Sequence, residues 1–311
     1  MKQILSDTSI GNVKIAEYIC CNQQHEMDQF MQIPFQKFQG LGNDFVILEA
    51  RDLPFDLDLS RLAQKLCNRH FGIGADGLLI CHRESRGDAR MQVINSDGSE
   101  PEMCGNGLRC FVRYLAGHED QSFLIETGAG LLKAEFSQKK QSIRVNMGKP
   151  VLSPAKIPAL GWNETPVVSA PLQVENHSFE ITLVSMGNPH CVIEVDQNWS
   201  SADTLYWGPL LEMHPAFPER INIEFTQFLT PHLARVSVWE RGAGATLACG
   251  TGACATLVAG VLQNKLETEA VIQLPGGDLT LFWDQNQDQV WMDGPAQRVF
   301  TGSYEEEGMI R

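Results

Sequence analysis

The chain predicts a mixed α/β fold in two pseudo-symmetric halves, each a curved mixed β-sheet or barrel wrapped around a central helix. Three observations predict it. The sequence matches itself at an offset of 145 residues, the separation of Cys104 from Cys249. Short apolar, strand-like runs alternate with helix-length segments in both copies. A stretch with five prolines, Pro150 to Pro171, reads as the link between them.

Unusual residues carry the repeat. Gly42-Asn43 falls on Gly187-Asn188, Ala89-Arg90 on Ala234-Arg235, Asn95 on Glu240, Cys104-Gly105 on Cys249-Gly250, Gly107 on Gly252 and Met147 on Met292. A period that long, seen twice, describes two like-folded halves and not a solenoid. The matched segments are glycine-rich and polar, which a merely shared hydrophobic pattern does not produce. They predict one site built by both halves. The expected division is an N-terminal extension over 1–31, a first half over 32–149 with room for 297–311 to return to it, and a second half over 150–296.

Within the first half, Phe45-Val46-Ile47-Leu48 and Leu78-Leu79-Ile80 read as strands, and Leu59, Leu62, Ala63 and Leu66 fall at helical spacing. The second half offers Cys191-Val192-Ile193, Ile221 to Phe225 and Arg235 to Trp239 as strands. A helix-length apolar segment follows each matched cysteine: Leu108 to Leu115, and Ala253 to Leu262. The second is apolar almost all round, and a helix of that kind must be enclosed.

Composition sets the class. A chain of 311 residues, 43% hydrophobic, has ample material for a buried core. Its net charge of -14 disfavours nucleic acid and anionic membrane as partners, because both are polyanions. No run of eighteen apolar residues is present, and Glu17, Glu26 and Asp28 make the first 31 residues too polar for a secretory segment. A cytoplasmic protein is the expectation. Nine cysteines is an odd number in a chain too large to need staples, so no disulfide framework is expected. Cys67, Cys81, Cys110, Cys191 and Cys254 read as small buried hydrophobes.

Cys104-Gly105-Asn106-Gly107 and Cys249-Gly250-Thr251-Gly252 each place a cysteine where a loop becomes a helix. Unpaired N–H groups and the positive end of the helix dipole collect there. A thiol so placed is expected to titrate below its free value of about 8.5. The glycines uncover the amides, leaving a cradle suited to a carboxylate. Two facing cradles would grip one carboxylate and set a sulfur on each side of its α-carbon. One thiolate then removes the α-proton and the opposite thiol supplies another to the other face, inverting the centre. A lone Cys-Gly-x-Gly is a tight turn before a helix; two copies at matched positions of a whole-chain repeat are a site.

With these segments in view, the sequence resembles the diaminopimelate epimerases. The matching blocks are Gly40 to Phe45, Arg69 to Gly77, Asn95 to Ser99, Met103 to Arg109, Met186 to His190, Glu240 to Gly242 and Ala248 to Ala253. The resemblance implies that Cys104 and Cys249 are the acid/base pair interconverting LL- and meso-diaminopimelate, with neither pyridoxal phosphate nor metal, in lysine and peptidoglycan-precursor biosynthesis. It implies that His190 and Glu240 assist the two cysteines, with Glu240 also near the substrate α-amine. Asn43, Asn95, Asn188 and Asn222 match substrate-binding asparagines, Arg241 matches the arginine that pairs with a substrate carboxylate, and Gly105-Asn106 and Gly250-Thr251 match the backbone cradles. A homodimer is implied as well.

Each of these residues has a plainer reading. Asn43 and Asn188 adjoin glycines and read equally as turn residues. His190 follows the habit of a core histidine, and Glu240-Arg241 that of a solvated pair. Gly77 departs from family members that carry glutamine there, so no binding role is given to it. Two other functions stay open: a proline or hydroxyproline racemase with the same two-thiol logic, and a metal or iron–sulfur protein using the cysteines with His70 or His190. The Cys104–Cys110 and Cys249–Cys254 spacings do not match a Cys-x-x-Cys zinc site.

Overall fold

The computed structural model describes residues 30–307, so all of the expected N-terminal extension except its last two residues lies outside the described residues. Residues 36–300 form one compact unit, which contains every candidate site residue. Residues 30–35 and 301–307 belong to a second unit, in which Ser303 donates to Gln32 and Gln32 donates to Glu305.

In chain order the first series of elements is β1 (Phe30–Gly40), β2 (Asn43–Glu49), α1 (Leu59–Cys67), β3 (Gly77–His82), β4 (Ala89–Asn95), α2 (Gly105–Leu115), β5 (Gln121–Thr127), β6 (Gly130–Ser137) and β7 (Ser142–Asn146). A short strand, β8 (Ala170–Val174), precedes the second series. That series is β9 (His177–Ser185), β10 (Pro189–Glu194), α3 (Ser201–Glu212), β11 (Asn222–Thr230), β12 (Leu233–Glu240), β13 (Gly244–Thr246), α4 (Gly250–Leu262), β14 (Glu269–Leu274), β15 (Gly277–Asp284) and β16 (Gln289–Gly294), with β17 (Gln297–Glu307) after it.

Strand pairing repeats with the order. β2 runs parallel to β3 and β3 antiparallel to β4, as β10 runs parallel to β11 and β11 antiparallel to β12. β5, β6 and β7 form an antiparallel meander, and so do β14, β15 and β16. The two meanders join edge to edge, with Val145 of β7 opposite Met292 of β16.

Each cysteine-led helix is enclosed by strands. α2 packs against β2, β4, β6 and β7; α4 packs against β9, β10, β11, β14, β15 and β16. Every residue of α4 from Gly252 to Gly260 is buried, as its all-round apolar sequence requires. Both helices feed one apolar core, where Leu108, Phe111 and Val112 meet the same cluster as Leu257 and Val258. Among the described residues no helix is long and apolar enough to cross a membrane.

All the described cysteines are free, and the five read as core are buried. Burial, the largest cause in each case, pushes the thiols of Cys67, Cys81, Cys110 and Cys254 up to about 12. An unfolded chain gives up these protons near the free value of about 8.5. Their contribution to stability is therefore complete below that pH and is lost as pH climbs toward 12. The thermal unfolding midpoint should fall steadily from pH 8.5 to 11 under reducing conditions. A flat midpoint over that range contradicts this account of the core.

Candidate active site

Cys104 and Cys249 are the N-cap residues of α2 and α4. Both have extended backbone, with φ of -137° and -119°, so each side chain lies beside the free amides of its helix's first turn. The caps are not equal. The Gly107 N–H donates to Cys104 Sγ at 3.4 Å, whereas Cys249 Sγ makes no such cap bond and lies 3.5 Å from Thr251 Oγ1. Cys104 is partly exposed and Cys249 is buried.

The helix starts are stitched together. Asn106, in the first turn of α2, donates from Nδ2 to the carbonyl of Ala248, the residue before Cys249, at 3.0 Å. The same amide donates to Asn43 Oδ1 at 3.2 Å, and Asn43 in turn donates to Asp76 Oδ2 at 2.7 Å. Asp76 belongs to a fixed ionic frame: Arg69 bridges Asp44 and Asp76, each at 2.7 Å, and Lys37 reaches Asp44 at 2.8 Å. Burial raises the Asp44 carboxyl, but Arg69 and Lys37 outweigh it and the net shift is downward. Asn106 Oδ1 itself is buried without a hydrogen-bond partner.

The cradle glycines are closely approached. A Cβ on Gly105 would lie 3.1 Å from Met147 Cε, and one on Gly250 would lie 3.2 Å from Met292 Sδ. Met292 approaches both cradles, since its Cε would also lie 3.3 Å from a Cβ on Gly105.

The remaining candidates come from strand ends. His190 is the second residue of β10 and is fully buried, with Nε2 3.0 Å from Asn188 Oδ1. Asn222 opens β11; it donates to the Pro189 carbonyl at 2.7 Å and accepts from the Arg241 backbone N–H at 2.9 Å. The Arg241 guanidinium is exposed and donates to the Glu219 carbonyl at 3.1 Å. Glu240 ends β12 and accepts from the Thr246 hydroxyl. Asn95 ends β4, partly exposed, and donates to Ser99 Oγ at 2.9 Å. Gly77 is buried, and a Cβ there would lie 2.8 Å from the Ile94 carbonyl, so β3 as built has no room for any side chain at this place.

Electrostatics correct one expectation. The helix starts were expected to draw both thiols below their free value, yet both are shifted upward. For Cys104, burial is the largest cause; the Gly107 N–H and the more distant Arg109 pull the other way, and Glu240 adds to the rise. For Cys249, burial comes first, then the negative charges of Glu240 and Glu224, and the shift is large. Removal of the sulfurs from water outweighs the amides. Glu240 is thus felt by both sulfurs, which places its carboxylate in the field of each.

One group was not singled out in the sequence. Glu224 lies in β11 with no exposure, and its Oε1 is 2.7 Å from His190 Nδ1. Strand alternation carries the signal: Asn222, Glu224 and Thr226 share one face of β11, between Ile223 and Phe225 on the other. Among the described residues, no three His, Cys, Asp or Glu side chains cluster as a metal site requires.

Known proteins resemble this arrangement at two levels. The family model described as diaminopimelate epimerase matches residues 35–153 and 182–299. A diaminopimelate epimerase of Acaryochloris marina is 47% identical over 283 residues, covering 88% of this chain and 99% of that protein. One from Desulfitobacterium hafniense is 47% identical over 274 residues, covering 86% and 96%. Among solved structures, a hydroxyproline epimerase of Agrobacterium vitis matches with a TM-score of 0.66 at 13% identity, covering 90% of this chain and 94% of that one. A phenazine biosynthesis protein of the PhzF family from Bacillus anthracis matches with a TM-score of 0.63 at 17% identity, covering 88% and 99%. These two share the fold alone. With the family model spanning both halves and relatives of this identity along nearly their whole length, the chain belongs to the diaminopimelate epimerase family.

Proposed function

We propose that this protein interconverts LL- and meso-2,6-diaminopimelate by two-base proton transfer between Cys104 and Cys249, the step that serves lysine and peptidoglycan-precursor biosynthesis. The observation that carries the reading is the pair of cysteine N-caps on repeat-related helices whose first turns are joined by Asn106 and the Ala248 carbonyl. The substrate carboxylate next to the reacting carbon lies across the free amides of both helices. Charge that spreads into it as the α-proton leaves is met by those amides. The half over 32–149 supplies one sulfur and the half over 150–296 the other.

The proton count closes without a further reagent. A thiolate takes the α-proton and becomes a thiol; the opposing thiol gives its proton to the other face and becomes a thiolate. Burial shifts both thiols upward and so favours their protonated forms. The ammonium group of the arriving substrate supplies positive charge beside them and favours release of one proton to solvent water, which leaves one thiolate facing one thiol. Glu240, felt by both sulfurs, accepts from that ammonium, and His190 assists the second sulfur. Asn43, Asn95, Asn188, Asn222 and Arg241 take the distal carboxylate and amine, which demand paired acceptors and donors. The enzyme works in the cytoplasm as a homodimer, with the small molecule as its substrate.

Purified protein under reducing conditions should invert LL-diaminopimelate and leave L-proline unchanged, as followed by chiral chromatography. Turnover of proline with diaminopimelate untouched would assign the racemase activity instead.

A further inference from the structure

The two halves differ at one buried place. Phe45 of β2 and Leu79 of β3 correspond, through the 145-residue offset, to His190 of β10 and Glu224 of β11. Phe45 and Leu79 are 3% and 0% exposed, and His190 and Glu224 are both 0% exposed. The same fold thus fills this position with an apolar pair in one half and a titratable pair in the other. A carboxylate taken out of water gives up its hydration, so packing alone is better served by the apolar version.

The place lies against the cysteine-led helices. A Cβ on Gly107 would meet Leu79 Cδ2 at 3.2 Å, and a Cβ on Gly252 would meet Glu224 Oε1 at 2.6 Å. Glu224 therefore rests on the first turn of α4, where the helix dipole favours negative charge. Its Oε1 faces His190 Nδ1 at 2.7 Å, while Oε2 is buried without a hydrogen-bond partner. On the other side of the ring, Nε2 is 3.0 Å from Oδ1 of the partly exposed Asn188. Burial, the largest cause, raises the Glu224 carboxyl; His190 pulls it back down and the charge of Glu240 adds to the rise.

Resting on the two-thiol reading above, we propose that Glu224 is a positioning residue that acts through His190. It accepts the Nδ1–H and locks the imidazole plane and tautomer, so that Nε2 is held toward Asn188 Oδ1 at a fixed angle. A carboxylate on one ring nitrogen sets the behaviour of the other in this way wherever a histidine serves as acid or base. The first half, with Phe45 and Leu79, has no such device, so the two thiols are served differently although their helices are alike.

The test is a double-mutant cycle on the full-length enzyme with Glu224→Gln and His190→Gln. Glu224→Gln should lower kcat for LL-diaminopimelate about 10- to 100-fold, the usual cost of losing a partner that orients a functional histidine, with KM changed less than about threefold. In the His190→Gln background the same substitution should change kcat less than about threefold, since its route of action is gone. Nitrogen-15 spectra of the wild-type protein should show His190 Nδ1 protonated from pH 6 to 8, a readout that needs no activity and no folded variant. An unchanged kcat in Glu224→Gln, an undiminished effect in the His190→Gln background, or an unprotonated Nδ1 would each overturn the assignment. Absence of inversion by the wild type would strike the proposed function instead, leaving the nitrogen spectrum to decide this one.

Discussion

Alanine in place of Cys104 or Cys249 should lower kcat for diaminopimelate inversion by about 10⁴-fold, the upper end of what a positioned acid or base contributes. Inversion requires removal on one face and delivery on the other, so either sulfur alone is insufficient. The surviving thiol still reaches one face. Each variant should therefore exchange the α-hydrogen of one stereoisomer with deuterated solvent, and the two variants should prefer opposite stereoisomers. Proton nuclear magnetic resonance follows both processes in one sample. Alanine removes one 3.4 Å cap bond at Cys104 and, at Cys249, a 3.5 Å contact with Thr251 and some buried sulfur, so circular dichroism of each variant should match the wild type before rates are compared. Inversion within tenfold of wild type in either variant would remove that sulfur from the mechanism.

The second large effect is expected at a glycine. Gly252→Ala should lower kcat about 10²-fold, the scale of a 1 Å displacement of a reacting group, whereas the repeat-related Gly107→Ala should cost less than tenfold. A methyl at Gly252 would come within 2.6 Å of Glu224 Oε1 and 3.3 Å of Cys249 Sγ. Glu224 has nowhere to retreat, since it is fully buried and held by His190. At Gly107 the nearest atoms are Leu79 Cδ2 at 3.2 Å and Cys104 Cβ at 3.4 Å, and an apolar methyl group gives way by a few tenths of an ångström. Equal losses in the two variants, measured at saturating substrate, would contradict the asymmetry between the halves.

Much of this architecture was legible before any coordinates. The 145-residue offset that aligns Cys104 with Cys249 also aligns the start of α2 with that of α4 and brings each strand of one meander within two or three residues of its counterpart, so the repeat read in the polar segments extends through the fold. The central helices were legible because their apolar periodicity begins just after a glycine-rich cap. Their first turns were less so: Gly105–Gly107 and Gly250–Gly252 carry poor helix formers, yet α2 and α4 start there. The meanders β5–β7 and β14–β16 escaped notice because their strands alternate buried and exposed residues over only five to eight positions. α3 escaped as well, although Ser200 and Asp203 form a capping box that marks its start.

The site divides along similar lines. Cys104, Cys249, Asn43 and the glycines stand out in the sequence because they recur at one period, whereas Asn106, whose counterpart is Thr251, stands out only through the family resemblance. Glu224 was not, because its signal is a single carboxylate in an apolar strand, and its partner His190 is 34 residues away. The direction of the thiol shifts was misread for a physical reason. Helix amides are visible in a sequence as a cap pattern, but the depth at which that cap is buried depends on the strands around it, and here depth wins.

The central claim is that the two sulfurs address one carbon from opposite faces, and early turnover in deuterated water tests it most directly. LL-diaminopimelate should yield meso product with one deuterium at the inverted carbon, while substrate recovered at the same time carries almost none. Product that keeps its original hydrogen, or substrate that gains deuterium faster than it inverts, would show a single group working on one face and contradict the account.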